Sequence, residues 1–249
     1  LKLLIVAFAL LINAIVFSQE HPKNISYGNQ QWLQYYNKLK LNKKYTIVSD
    51  ASFRWKDYFK GYNLALLRTG IMYNFRENIS VSFGIASTVS FNANKMSRGE
   101  LRGWQELLLS SRISRLYLTN RFRLEERYFK NIKNDSFDDG YNFNYRFRYR
   151  FFVSIPINNN TIKDKTLSVN IGDEIFINFG KEITYNTFDN NRILLGINYQ
   201  FNNKYSITLN YVNQLTHTNA INIYENTDIL WLSLTHTLGL KEKSKEKEN

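Results

Sequence analysis

The sequence predicts an all-β protein, a transmembrane antiparallel up-and-down β-barrel of about 10–12 strands. Three observations predict it: one long segment alternates aromatic residues with arginines, further alternating segments follow one another along the chain, and proline is scarce. Aromatic residues make up 16% of the chain, and such residues favour strands. Only Pro22 and Pro156 could interrupt a strand ladder, so long stretches are free to pair.

The clearest strand is Tyr141–Val153, which reads YNFNYRFRYRFFV. Because successive side chains of a strand point to opposite faces, one face carries aromatic residues and the other carries Arg146, Arg148 and Arg150. A soluble strand usually has about 5–6 residues, whereas a tilted strand that crosses a bilayer needs about 9–11. The length of this segment therefore favours a membrane strand.

Placement in a membrane decides which face points inward. One arginine on the lipid side at the bilayer midplane costs about 2–4 kcal/mol, so three would cost on the order of 6–12 kcal/mol. That cost is comparable with the whole stability of a domain. We therefore expect the arginines to face the lumen and the aromatic residues to face lipid.

Eleven segments can be interpreted as strands, and the cleanest places Ile, Val and Phe opposite small residues at 79–91. The pattern at 99–111 is ambiguous, and Asp173 breaks the apolar face of 166–179, which indicates a bulge. Since bacterial barrels have even strand numbers, twelve strands are favoured, with residues 20–31 either supplying one strand or threading the lumen. The eleven segments are 32–41, 45–55, 62–75, 79–91, 99–111, 115–127, 141–153, 166–179, 190–201, 205–214 and 227–238.

The predicted connections alternate in length, as they do in outer-membrane barrels. Tight turns are expected near 42–44, 76–78, 112–114 and 202–204, with 156–165 as a longer exception on the same side. Longer loops are expected at 56–61, 92–98, 129–140, 180–189 and 215–226.

The chain divides into three parts. Residues 1–18 have the basic start, the apolar run and the small residues near the exit that describe a secretory signal peptide. Residues 19–240 form the predicted outer-membrane barrel, and residues 241–249 form a charged tail that we expect to be disordered.

The charge balance and the absence of cysteine limit the function classes. A net charge of +12 could indicate nucleic-acid binding. The excess lies in turn lysines and in arginines that alternate with aromatic residues, and no helix or zinc-binding pattern accompanies it, so we expect no nucleic-acid partner. Without cysteine the chain has no disulfide, thiolate nucleophile or lipid-anchoring thiol.

The predicted inward faces together form a polar network of arginines and carboxylates, because the planar guanidinium suits bidentate pairing with carboxylates. Two interpretations stay open: the network fills the lumen and fixes strand register, or it attracts anions into a narrow passage. The network consists of Asp50, Arg54, Arg68, Arg102, Glu106, Arg121, Arg123, Glu125, Arg127, Arg146, Arg148, Arg150, Glu174 and Arg192.

No catalytic residue, metal ligand or cofactor is predicted. The chain has three histidines, His21, His217 and His236, and no two of them have metal-ligand spacing. His236 lies in a hydroxyl-rich segment, which leaves open an outer-membrane lipid hydrolase in which this histidine acts as the base.

A family resemblance rests on several motifs in one order. They are WLQY from Trp32, SDA from Ser49 with Arg54-Trp55, RTG from Arg68, ELRGWQ from Glu100, NRFRLE from Asn120 with Arg127, YRFRYR from Tyr145, DEIF from Asp173 and FDNNR from Phe188. The chain resembles the domain-of-unknown-function family numbered 2490 over nearly all of residues 19–240. The resemblance implies a barrel in a Gram-negative outer membrane and implies no activity. The end at Leu238 or Leu240 departs from the terminal aromatic residue of many such barrels, so the limit of the last strand stays open.

These inferences lead to one principal hypothesis and two alternatives. We expect a monomeric barrel in the cell outer membrane, with the bilayer, outer-membrane lipids and the barrel-assembly machinery as partners. Its role would be structural or that of a narrow anion-favouring passage. The alternatives are the lipid hydrolase and a secreted soluble barrel that binds a ligand, with aromatic residues as its core and arginines in water.

Overall fold

Twelve β-strands account for most of the chain in a computed structural model, which describes residues 23–133, 136–218 and 220–239. The predicted signal peptide and the charged tail lie outside the described residues. The strands are β1 Asn24–Lys40, β2 Tyr45–Lys56, β3 Gly61–Arg76, β4 Ile79–Asn92, β5 Lys95–Ile113, β6 Leu116–Lys133, β7 Ser136–Phe137, β8 Asn142–Pro156, β9 Thr166–Phe179, β10 Phe188–Gln200, β11 Tyr205–His217 and β12 Ile223–Gly239. In the described part of the chain, no helix is long and apolar enough to cross a membrane.

The eleven long strands close into a barrel, and the predicted all-β up-and-down architecture is confirmed. Neighbouring strands run antiparallel, except that β1 and β12 pair in parallel over their whole length, from Asn24 beside Ile223 to Lys40 beside Gly239. An odd number of up-and-down strands can close only with one parallel pair. The remaining strand, β7, has two residues and, within the described residues, pairs with the end of β6 alone. Residues 24–31 belong to β1 and do not form a separate strand.

Most turns at one end of the barrel are short, with the connection between β8 and β9 at 157–165 as the longer exception, and two of the short turns share one arrangement. The Asn42 side-chain oxygen accepts hydrogen bonds from the backbone amides of Lys44 and Tyr45 at 2.8 and 2.9 Å. Asn202 repeats this arrangement between β10 and β11. Asparagine favours such local turns because its short side chain bonds the backbone two residues on.

The opposite end has a longer connection at 180–187, but the predicted long loop at 92–98 is wrong. There β4 and β5 extend to a two-residue turn, with Ala93 and Asn94 at φ 48° and 61°. Positive φ at both central residues gives the twist that joins adjacent strands of a hairpin.

Most inward side chains are polar and most outward side chains are apolar, although two small apolar clusters around Trp32 and Trp104 are also buried inside. On β8, Arg146 and Arg148 are each 8% exposed, whereas Tyr145 and Phe147 are 36% and 38% exposed. On β9, buried Ser168, Asn170, Glu174 and Asn178 alternate with outward Leu, Val and Ile. This order is the reverse of a soluble core and is that of membrane barrels.

A small aromatic layer inside the barrel supports the polar groups. The indole of Trp104 lies over the backbone of Gly70 and Gly84, where a Cβ at Gly70 would approach Trp104 Cζ2 to 2.5 Å. Glycine is needed at this close approach, because a side chain would displace the ring. Arg123 also lies against this indole, with its Cζ 4.9 Å from the ring centroid.

Candidate functional site: the charged barrel interior

The interior carries a network of ion pairs on β2, β3, β5, β6, β8, β9 and β10. It joins the arginines at 68, 102, 121, 123, 127, 146 and 148 to the carboxylates at 50, 100, 106, 125, 174 and 189. We call this set the lumenal network. Its strands present alternate residues inward, so β5, β6 and β8 each contribute two or more charges to one surface.

Glu125 is the centre of the network and has 0% exposure. Its Oε2 accepts from Arg146 Nε and Nη2 at 2.8 and 2.6 Å, and its Oε1 accepts from Arg148 Nη1 at 2.8 Å. Arg102 contributes a longer contact of 3.5 Å. Several charge-assisted bonds on one carboxylate offset the cost of removing it from water.

Strand register places like charges opposite each other between β6 and β8, where Arg121 lies beside Arg150 and Arg123 beside Arg148. Like charges in directly opposite positions destabilise a sheet. Carboxylates on the flanking strands compensate: Glu106 of β5 accepts from Arg123 Nε at 2.8 Å, and Glu174 of β9 accepts from Arg148 and Arg121. Across β5, β6, β8 and β9 the inward charges are therefore arranged as carboxylate, arginine, arginine and carboxylate.

Two carboxylates of the network were not predicted from the sequence. Glu100 accepts from Arg127 Nε at 2.7 Å and from Arg102 Nε at 2.9 Å. Its spacing of two from Arg102 places both on one strand face, and this signal could have identified it. Asp189 accepts from Arg146 Nη1 at 2.8 Å, but its inward position depends on a register shift between Phe188 and Asn190 that no local pattern marks.

Eleven of the fourteen predicted network residues take part in ion pairs, and the other three lie in the interior without a carboxylate partner among the described residues. Asp50, Arg68, Arg102, Glu106, Arg121, Arg123, Glu125, Arg127, Arg146, Arg148 and Glu174 all take part in ion pairs. Arg54, Arg150 and Arg192 also line the interior, yet none has a carboxylate within 4.0 Å among the described residues.

A cavity of about 240 Å³ lies beside the network. The unpaired arginines border it together with aromatic residues that the sequence did not identify as lumenal: Trp32, Phe176 and Trp231. The Arg54 guanidinium stacks on Trp32, with Cζ 3.8 Å from the ring centroid. Arg192 lies 5.0 Å from the same ring.

His236 lies on the outer surface near the β1–β12 seam. Its Nδ1 is 2.8 Å from the hydroxyl of Tyr35, and its ring stacks on Tyr205 at 4.4 Å. The hydroxyl in contact is thus a phenol, not the serine that the predicted lipid hydrolase would use as nucleophile. His217 stacks on Tyr224, and His21 lies outside the described residues. No cluster of potential metal ligands occurs within residues 23–133, 136–218 and 220–239.

Comparison with known proteins adds one finding. The model of a family described as "Protein of unknown function (DUF2490)" matches residues 29–225, from β1 into β12. No curated protein matches the chain.

Proposed function

The chain belongs to the DUF2490 family, and on that premise we propose that it is an integral outer-membrane β-barrel whose interior forms a narrow passage favouring small anions. The excess of interior cations carries the proposal. The fourteen predicted interior residues comprise ten arginines and four carboxylates, and Glu100 and Asp189 raise the carboxylates to six. A cavity lined by an excess of one charge sign concentrates the opposite ion.

The distribution of apolar surface supports the membrane location. Leu195, Leu230, Ile85 and Leu67 are each more than half exposed on the outer wall. An apolar exterior of this extent is unfavourable in water and favourable in lipid. A soluble barrel with an aromatic core requires the opposite orientation, since its arginines would face water.

Aromatic pairs near both ends of the wall support the same location. Tyr45 contacts Tyr73 near the short turns, and Trp55 contacts Phe59 near the opposite end. Tyr45 and Trp55 are ten positions apart on β2. At ~3.3 Å per residue and a strand tilt of ~40°, this spacing spans about 25 Å along the barrel axis. That height matches the apolar band of outer-membrane barrels, which aromatic residues border.

The proposal includes the route to the membrane. Residues 1–18 would direct export, and the barrel-assembly machinery would insert the wall. The closed wall of β1–β6 and β8–β12 leaves no unpaired long edge, and this favours a monomer.

Membrane fractionation tests the location, and planar-bilayer recording tests the passage. We expect the protein in the outer-membrane fraction, with gel mobility that changes on heating, and a small conductance with anion preference. Arg54→Gln should lower the anion preference, whereas Lys43→Gln, the same charge change in an exposed turn, should not. Extraction by salt alone would refute the membrane location. A membrane protein without conductance would refute the passage and leave a structural barrel.

A further inference from the structure

We propose that the interior cavity is a binding site for a small dianionic oxyanion of the phosphate type, held by Arg54 and Arg192 against Trp32 and Trp231. This inference deepens the proposed function, because a passage for anions would then contain a saturable site. We call these four residues the Arg54 site.

The first argument is the missing counterion. Arg54 has no carboxylate within ion-pair distance in the described part of the chain, and its Nε is buried without a hydrogen-bond partner. The charged groups that act on it most strongly are Arg192, Arg102, Arg148 and Arg146. Arginine stays protonated in proteins, so its charge cannot be relieved by deprotonation. The carboxylates that line the same cavity, Asp50, Glu100, Glu174 and Asp189, are each paired with an arginine of the lumenal network. A bound anion would therefore supply the counterion that Arg54 lacks.

The second argument is the geometry of the guanidinium groups. Arg54 stacks face-on against Trp32, and Arg192 lies beside both Trp32 and Phe176 at 5.0 and 4.6 Å. Stacking fixes the plane of a guanidinium and leaves the N–H groups on its edge available. Arg192 uses its Nε on Gln214 at 2.6 Å, so its terminal nitrogens remain for a ligand. Planar edges of this kind suit bidentate bonds to phosphate or carboxylate oxygens.

The third argument is an excess of donors around the cavity. Trp231 Nε1 borders it, is buried and lacks a hydrogen-bond partner, as does Arg150 Nε. Trp231 packs edge-on to Trp32 at 5.5 Å, so its N–H is held in place. Unsatisfied buried donors are costly, and an oxyanion offers the acceptors that would satisfy them. Two arginines without carboxylates favour two negative charges on the ligand.

The cavity also limits the size of the ligand. Its volume of about 240 Å³ lies below the usual ~300–1,000 Å³ of pockets for drug-sized molecules. Inorganic phosphate or a small phosphate ester fits this volume. The indole and phenyl walls leave room for a short apolar or hydroxylated group on an ester.

Calorimetric titration of the full-length protein in detergent tests the site. The probes are inorganic phosphate, glycerol 3-phosphate, succinate and uncharged glycerol, all at constant chloride. We expect saturable binding of both phosphates, weaker binding of succinate and none of glycerol. Binding of inorganic phosphate alone would assign the free ion, whereas tighter binding of the ester would assign an organic phosphate. The absence of saturable phosphate binding would overturn the proposal.

Variants distinguish phosphate binding at the Arg54 site from a general electrostatic attraction of anions to the protein. Arg54→Gln and Arg192→Gln should each weaken phosphate binding at least tenfold, and Arg54→Lys, which keeps the charge but loses the planar fork, should weaken it severalfold. Lys43→Gln should leave it unchanged. Heat-modifiable mobility confirms that each variant is folded. Unchanged affinity in folded Arg54→Gln would refute the site.

The proposal of a phosphate site and the proposal of an anion passage can be refuted separately. Phosphate binding without conductance would refute the passage and keep the site. An anion-selective conductance in a protein that shows no saturable phosphate binding would refute the site and keep the passage.

Discussion

Arg146 holds one oxygen of Glu125 with two nitrogens of the same guanidinium, and the two residues lie directly opposite each other on β6 and β8. Register alone thus brings together the most buried carboxylate of the lumenal network and one of its main partners. The pair ties neighbouring strands together in the interior of the wall.

Removal of the Glu125 charge should destabilise the barrel strongly. Glu125→Gln leaves Arg146 and Arg148 without their shared counterion, and breaking a buried pair in this way costs about 3–5 kcal/mol. Urea unfolding in lipid vesicles, followed by gel mobility, measures the loss. The control is Glu126→Gln, one residue along on the outer face, where the carboxylate accepts a hydrogen bond from Gln105 Nε2 at 3.3 Å and no arginine pairs with it among the described residues. Equal losses in both variants would contradict a structural role for the network.

The contact between Trp104 and the glycines should tolerate no side chain. Gly70→Val places carbon atoms on Trp104 and on the Phe83 carbonyl oxygen, which lie 2.5 and 2.6 Å from the ideal Cβ position. We expect a loss of about 1–3 kcal/mol from overpacking. Gly61→Ala serves as the control, because its Cβ would meet only Asn94 Oδ1 at 3.9 Å. Unfolding midpoints in urea compare the two variants, and a stable Gly70→Val protein would exclude this packing.

A charge introduced on the outer wall tests whether this surface faces lipid or water. Leu195 is 54% exposed on β10, and an arginine there should cost about 2–4 kcal/mol near the bilayer midplane. Leu195→Arg should therefore fold poorly into vesicles, whereas Asn203→Arg in the short turn should fold normally. The folded fraction after refolding, read from gel mobility, gives the result. Efficient folding of Leu195→Arg would contradict a lipid-facing wall.

The parallel seam can be tested by cross-linking, since the chain has no native cysteine. Leu33 lies beside Leu232 in the parallel register, and both face outward. The double variant Leu33→Cys with Leu232→Cys should form an intramolecular disulfide, because register partners lie within the Cα separation that a disulfide allows. Leu33→Cys with Leu238→Cys should not. A reversed pattern of reducible gel shifts would exclude the observed closure.

The sequence predicts the barrel well because its strands obey one strong rule. Alternation in Tyr141–Val153 separates arginines from aromatic residues, and the cost of placing arginine in lipid decides which face is inward. The way in which the barrel closes cannot be predicted from this alternation. The parallel pairing of β1 with β12 joins the two ends of the wall, and no local pattern records it. The expectation of an even number offered residues 20–31 as a separate strand or as a segment that threads the lumen, whereas residues 24–31 are the first part of β1.

The interior site is predictable in part for the same reason. Period-two spacing identifies most charged residues of the network, and it extends to Glu100. The inward position of Asp189 depends on a register shift, and the contact of Trp32 with Arg192 joins strands that are not neighbours in the wall. Which arginines lack a carboxylate is also a property of the closed barrel, because each strand considered alone shows only its own charges.

The pairing of β1 with β12 also determines where the first and the last strand of the wall begin and end. Asn24 begins β1 at the rim with the 180–187 connection, and Gly239 completes β12 at the rim with the turns at Asn42 and Asn202. In an even-numbered cylinder both ends would emerge on the same side. Here they lie at opposite rims, so if the proposed membrane location holds, epitopes inserted next to these two residues would be accessible from different compartments.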